Sequence, residues 1–156
     1  MSACTQVTQL TGDSISLYRG GDAATDLAIV DLYRRAYRGR TAIPELTIED
    51  VQRQIEGPGF AYFLAFDDDC LIGHAAVYVH GDECYVDSIL VVRSHWGSGA
   101  SDALGQAITR HAHAQSCRRI ACVADIRNQA SRALIERQGY KPVEQLRRFR
   151  RIVENG

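Results

Sequence analysis

The stretch VVRSHWGSGASDALGQAI, Val91 to Ile108, decides how this chain is read. It begins as an apolar run, crowds Gly97, Ser98, Gly99 and Ser101 into one short turn, and passes without a gap into a helical pattern. Ala100, Ala103, Leu104, Ala107, Ile108, His111 and Ala112 recur at the spacing of one helix face. A strand that turns this tightly into a helix leaves several backbone N–H groups at the helix start without intrahelical acceptors. Those donors and the positive end of the helix dipole favour a phosphate or pyrophosphate. Gly97 and Gly99 let the backbone come close to such a group because no Cβ intervenes, and Ser98 and Ser101 can add hydroxyl donors. A plain glycine turn is the alternative. The stretch lacks the Gly-Lys-Ser/Thr ending of a P-loop. It also lacks the βαβ context of a dinucleotide fingerprint, because the strands before it are joined as hairpins.

Working outward, the N-terminal side predicts a strand at Ser14–Arg19, then a helix capped by Asp22 and running to about Tyr37. In that helix Ile29, Leu32, Tyr33 and Ala36 face inward. Thr47 and Asp50 form a capping-box pattern before a second helix that turns Ile48, Val51 and Ile55 inward. Three strands follow, Ala61–Phe66, Leu71–His80 and Glu83–Val92. The short turns DDD and GD between them imply antiparallel neighbours. After the long helix come a buried-type strand at Arg119–Ala124 and a helix capped by Asn128 and stopped at Gly139. The segments KPVEQL and RRFRRIV then fit two closing strands. The expected fold is α+β, a mixed sheet of about seven strands with helices on both faces, in the order β-α-α-β-β-β-α-β-α-β-β.

The chain has 156 residues, 46% apolar and 24% charged, with a formal net charge of −1. These values suit one soluble globular domain over 1–156 and give no broad pull toward nucleic acid or membrane. No apolar run is long enough to span a bilayer, and the polar start MSACTQVTQLTGDS has no signal-peptide core, so the cytoplasm is the expected compartment. Cys4, Cys70, Cys84, Cys117 and Cys122 match neither a zinc site nor a CxxC pair and read as free thiols. The histidines, His74, His80, His111 and His113 among them, lack metal spacing with carboxylate or cysteine, so no metal is expected and they read as satisfied structural residues.

On these residues the chain resembles the GNAT superfamily of acyl-CoA-dependent N-acyltransferases. Ile89-Leu90-Val91 fits the end of the family's strand, and Trp96-Gly97-Ser98-Gly99-Ala100-Ser101 fits its Gln/Arg-x-x-Gly-x-Gly/Ala loop, which cradles the CoA pyrophosphate. Leu104 fits the leucine of the following helix. Asn128, Ser131, Leu134, Ile135, Gly139 and Tyr140 keep register with a second family signature, Asn-x-x-Ala-x-x-Leu-Tyr-x-x-x-Gly-Phe. The resemblance covers about residues 14–153 and is nearest to the aminoglycoside 6′-N-acetyltransferase type. It implies acetyl-CoA as co-substrate. It depends on these residues in three altered forms: Trp96 stands for Gln/Arg, Ser101 for a smaller residue, and Ile135 for the tyrosine that protonates the leaving thiolate in many relatives. A thiol pKa near about 8.5 makes unassisted departure tolerable.

An amine must lose a proton before it can attack a thioester, and a nearby carboxylate can take that proton. The resemblance puts this role on Asp87 in the fourth strand; a satisfied structural aspartate is the alternative. Strand alternation sets Asp87, Ile89 and Val91 on one face, unless a bulge intervenes, with Tyr85 on the same face and able to order a water. Asp125 is a second candidate, binding another ammonium group or complementing a helix dipole. The acceptor pocket of the family is built by elements that here carry Tyr33, Tyr37, Glu45, Asp87, Asp125 and Glu136, a set suited to a cationic small molecule. Arg34, Arg35, Arg38 and Arg40 weigh against an aminoglycoside and keep a carboxylate-bearing amine open. RRFRRIV reads as a solvated edge or a homodimer contact. The leading expectation is acetyl transfer from acetyl-CoA to a primary amine of a small molecule, antibiotics included. The alternatives are a protein lysine or N-terminal acetyltransferase and a CoA-binding module without turnover.

Overall fold

The computed structural model describes residues 14–36, 46–147, 149 and 151. The chain divides into a larger unit that ends at Val123 and a smaller one that starts at Ala124.

In the larger unit β1 (Ile15–Tyr18) is followed by α1 (Ala23–Ala36) and α2 (Ile48–Glu56), then β2 (Phe60–Asp67), β3 (Cys70–His80) and β4 (Glu83–Val91). A 3₁₀ turn at Arg93–His95 leads to α3 (Ala100–Ala114), and β5 (Arg119–Cys122) closes the unit. The sheet order is β1-β2-β3-β4-β5. β1 to β4 pair antiparallel, as the short turns require, and β5 pairs parallel to β4 after the α3 crossover.

Local chemistry sets the helix starts. The Asp22 carboxylate accepts the Ala24 amide at 3.3 Å and the Thr25 hydroxyl, and Thr47 and Asp50 complete a reciprocal capping box. Ile29, Val30 and Leu32 of α1, Val51 of α2 and Leu104 and Ile108 of α3 form the buried core with the sheet. The α3 face predicted from periodicity is buried at Ala100, Ala103, Leu104, Ala107, Ile108 and Ala112.

Cross-strand register assigns the two faces. Phe63 stands opposite Ala75 and packs edge-on against His111 of α3, with ring centroids 5.4 Å apart. Gly73, on that same side, lies where a Cβ would come 3.5 Å from Leu104 Cδ1. Tyr62, on the other side, donates its hydroxyl hydrogen bond to Gln54 of α2. Asp26 of α1 is buried and accepts from Tyr18 and, at 3.1 Å, from Gln52, which ties β1, α1 and α2 together on that second face. The sheet therefore has helices on both faces.

In the smaller unit α4 (Gln129–Arg137) starts at Asn128, whose side chain accepts the Ser131 amide at 3.1 Å. The expected strand KPVEQL is not one: residues 141–146 have no regular structure. Val143 and Leu146 are three apart, so no period-two apolar face exists, and Pro142 lacks a ladder donor. RRFRRIV lies only partly within the described residues, and Arg147, Phe149 and Arg151 are not in a strand. Five strands are thus present among the described residues, where about seven were expected.

Candidate active site

Gly97 and Gly99 have φ values of 80° and 84°, the left-handed region where a Cβ is costly. Gly99 is the N-cap of α3 and offers no side chain to its first amides. A Cβ built on Gly97 meets no atom of the described residues within 4 Å, so among them the space beside Gly97 is open. Ser98 turns inward, 4% exposed, and its hydroxyl has no hydrogen-bond partner among the described residues. Leaving a buried hydroxyl unpaired costs roughly 1–3 kcal/mol. An orphaned hydroxyl, open space and an uncapped helix head together fit a phosphate-bearing ligand. Ala100 is buried and Ser101 half-buried in the first turn of α3.

The loop is braced from behind. The Ser98 amide donates to the His95 carbonyl at 3.1 Å. His95 Nε2 lies 2.8 Å from the Asp67 carboxylate at the end of β2, and Ser94 Oγ lies 2.9 Å from His95 Nδ1. Trp96 is exposed, and its indole N–H donates to the Val91 carbonyl at 2.9 Å.

Asp87 sits where the register of the sheet breaks. Ser88 faces Ala76 and Val86 faces Val77, so Asp87 is the extra residue of a β-bulge in β4. Pairing of β4 with β5 ends at the same place, with Val86 opposite Cys122. A bulge bends and twists its strand, and beyond Val86 no described strand pairs with β4 on that side. The bulge also corrects the expected facing. Ile89 and Val91 oppose Ala75 and Gly73 on the α3 side, and Leu90 opposes His74 on the other. Tyr85, opposite Tyr78, stands with Tyr62 on the α1–α2 side, and the Asp87 charge raises both hydroxyls. The Asp87 carboxylate is solvent-accessible and makes no hydrogen bond or ion pair among the described residues. Partial desolvation by the surrounding protein raises its pKa above the ordinary value.

Around Asp87 stand tyrosines. Burial, then the Asp87 charge, raise the Tyr62 hydroxyl, and Tyr33 of α1 also acts on it, so Tyr33 reaches the same face. Tyr85 is raised chiefly by burial, and its ring lies 4.9 Å from that of Tyr78, tilted by 36°. Of the residues singled out in the sequence, Asp87 acts on Tyr85, and Asp87 and Tyr33 both act on Tyr62. Tyr37, Glu45, Arg38 and Arg40 lie outside the described residues. Arg35 is engaged elsewhere, bonding Asp31 at 2.9 Å and the Leu71 carbonyl at 2.7 Å.

Within the smaller unit, Asn128 and Ser131 are joined by the α4 cap. Both oxygens of Asp125 are bonded to the Arg127 guanidinium, at 2.8 and 3.1 Å, so its charge is matched within its own turn. The Ile135 carbonyl accepts the Tyr140 amide at 3.2 Å at the helix end.

Sequence reasoning missed Tyr62 and misread His74. Tyr62 looked like any aromatic in a strand, and only the pairing of β2 with β3 places it near Asp87. His74 is not a satisfied histidine. It is 2% exposed, stacked on Tyr62 with ring centroids 5.6 Å apart, and neither ring nitrogen has a partner among the described residues. The described cysteines are free thiols. No described helix is long and apolar enough to cross a membrane.

The family model described as Acetyltransferase (GNAT) family matches residues 27–140. No curated protein sequence matches the chain. Among solved structures the chain is similar to AAC(6')-Iy in complex with the bisubstrate analogue CoA-S-monomethyl-acetylneamine, at 18% identity and a TM-score of 0.72, covering 89% of this chain and 99% of that one. It is similar to the aminoglycoside acetyltransferase meta-AAC0020 from an uncultured soil metagenomic sample, in complex with sisomicin, at 15% identity and a TM-score of 0.72, covering 91% and 98%. It is also similar to the aminoglycoside 6'-N-acetyltransferase AAC(6')-Ih from Acinetobacter baumannii, at 16% identity and a TM-score of 0.70, covering 90% and 99%. At these identities the likeness is one of fold.

Proposed function

Because the chain belongs to the GNAT family of acetyltransferases, we propose that it moves the acetyl group of acetyl-CoA to the primary amine of a small cationic molecule, with aminoglycoside-type antibiotics as the first acceptor class to try. The observation that carries this reading is the Asp87 carboxylate, without a hydrogen bond or ion pair among the described residues, at the bulge where β4 leaves β5. The edge of β4 after Val86, unpaired among the described strands, offers backbone groups to an extended thioester arm, and the turn from Gly97 to Ser101 offers amides to the pyrophosphate. Ile89, Leu90 and Val91 line that edge. Asn128 and Ser131 are carried over from the family resemblance as further contacts to the co-substrate.

An ammonium entering beside Asp87 loses its proton to the carboxylate, directly or through a water ordered by Tyr85. The freed nitrogen lone pair attacks the thioester carbonyl, the nitrogen gives up its second proton to water as the C–N bond forms, the C–S bond breaks, and CoA leaves as thiolate. The desolvated carboxylate, with its raised pKa, is a better base for this step than an ordinary aspartate. Ile135 has no proton to give, and the thiolate needs none to leave near neutral pH, because its conjugate thiol has a pKa of about 8.5. Tyr33 and Tyr85, both partly exposed, give the acceptor aromatic surface and hydroxyls beside the Asp87 charge, which suits an ammonium group. Arg35 is tied to Asp31 and Leu71, which removes one of the basic residues that weighed against a cationic acceptor. The names of the similar structures, aminoglycoside acetyltransferases among them, point the same way.

The family match runs across both units and supports one acyltransferase domain over 1–156. A cytoplasmic location and a homodimer go with this reading, to be checked by fractionation and light scattering. The deciding experiment follows thiol release from acetyl-CoA in the presence of aminoglycosides, simple amines and lysine-bearing or N-terminal peptides. Turnover with small amines supports the proposal, turnover confined to peptides replaces it with a protein acetyltransferase, and CoA binding without turnover on any amine removes the enzymatic role.

A further inference from the structure

Trp96 is the sole tryptophan of the chain, and 61% of it is exposed beside Gly97. An indole left in water at the head of a ligand loop forgoes a large hydrophobic gain. It is also held in place. Its N–H is anchored to the Val91 carbonyl at 2.9 Å, and the Arg93 guanidinium lies 5.5 Å from its ring centroid. The 3₁₀ turn at Arg93–His95 brings these two residues, three apart, to the same side. The result is an oriented aromatic plate that carries a cation. Next to it the chain turns through Gly97, beside which there is open space among the described residues, and reaches the Ser98 hydroxyl, which has no hydrogen-bond partner among them.

We propose that Trp96 and Arg93 form a stacking platform for the adenine-nucleotide half of CoA, a proposal that rests on the CoA reading above. The indole supplies a π-face for the purine, and Arg93 supplies, from three residues earlier, the positive charge that the family pattern would place at position 96. The pair therefore acts on binding of the co-substrate and not on the acetyl-transfer step.

The test uses the whole protein and the fluorescence of its one tryptophan. Titration with CoA and with adenosine 3′,5′-bisphosphate, the nucleotide half alone, quenches the indole. Pantetheine, the thiol arm without the nucleotide, does not. By calorimetry, Trp96→Leu weakens CoA about tenfold, the low end of what stacking of one base is worth, and leaves pantetheine binding unchanged. Trp96→Phe keeps a ring but loses the N–H bond to Val91, and it retains affinity within about threefold. Arg93→Gln weakens CoA and reduces the salt dependence of its binding. If CoA binds the wild type with no change in fluorescence and Trp96→Leu binds it equally well, the platform is overturned and the CoA reading stands. If Phe and Leu weaken CoA equally, the indole is only a brace for the loop and the platform is again overturned. If the wild type binds no CoA by calorimetry, the CoA reading itself fails and this proposal fails with it.

Discussion

His74→Leu should flatten the dependence of stability on pH. In the folded protein His74 is enclosed, stacked on Tyr62 and without a partner for either ring nitrogen among the described residues. Burial pushes its pKa down from 6.5 to about 4. The unfolded chain therefore binds a proton between those values that the folded chain refuses, so stability is complete above about pH 6.5 and falls as pH drops toward 4. The whole fall amounts to about 3 kcal/mol, at about 1.36 kcal/mol per pH unit, of which about 2 kcal/mol is lost by pH 5. Leucine is close to histidine in volume and cannot titrate. It gives up the ring stack, worth about 0.5–1.5 kcal/mol, and relieves two orphaned nitrogens, so at pH 7.5 the variant should lie within about 1 kcal/mol of the wild type. Urea unfolding of both proteins from pH 7.5 to 5 gives the difference curve, in which all other titrating groups cancel. The wild type should lose about 2 kcal/mol more than the variant over that span. Parallel curves would refute the reasoning, because His74 would then take up its proton inside the fold.

The remaining predictions concern the site. Asp87→Asn should cut kcat by about 10²–10⁴-fold and leave CoA affinity unchanged, and the loss should shrink as pH rises toward the pKa of the amine. Near-normal kcat across pH 6–9 on a confirmed substrate would return Asp87 to a structural role. The acid limb of the wild-type profile should fall above the ordinary carboxylate value, since desolvation raises the Asp87 pKa. Gly99→Val puts a branched side chain at a φ of 84° and into the path of the pyrophosphate. It should cost about 1–2 kcal/mol of stability and weaken CoA at least about tenfold, and unchanged CoA affinity in a folded variant would remove the assignment. Asp67→Asn removes the carboxylate charge opposite His95 and should lower stability by about 1 kcal/mol, or about 2–4 °C in Tm; an unchanged melting curve would show that the brace behind the loop is idle.

Much of this protein was legible because the relevant physics is local. The apolar face of α3 from Ala100 to Ala112, the Thr47–Asp50 box and the Asn128 cap each depend on residues within a few positions of one another. The turn through Gly97 and Gly99 is local as well, since a left-handed φ is a property of one residue. The hairpins followed from turn length alone. Other features needed the partner strand. Whether Asp87 shares a face with Ile89 depends on one unpaired residue between Ala76 and Val77 of β3 and their partners in β4, and neither strand records that offset in its own pattern. The meeting of Tyr62, Tyr33 and Asp87 and the isolation of His74 likewise arise from residues brought together across the sheet. Periodicity and backbone sterics act along the chain and can be read from it. Register, burial and the desolvation that shifts a pKa depend on what packs against a residue, and only the tertiary structure supplies that.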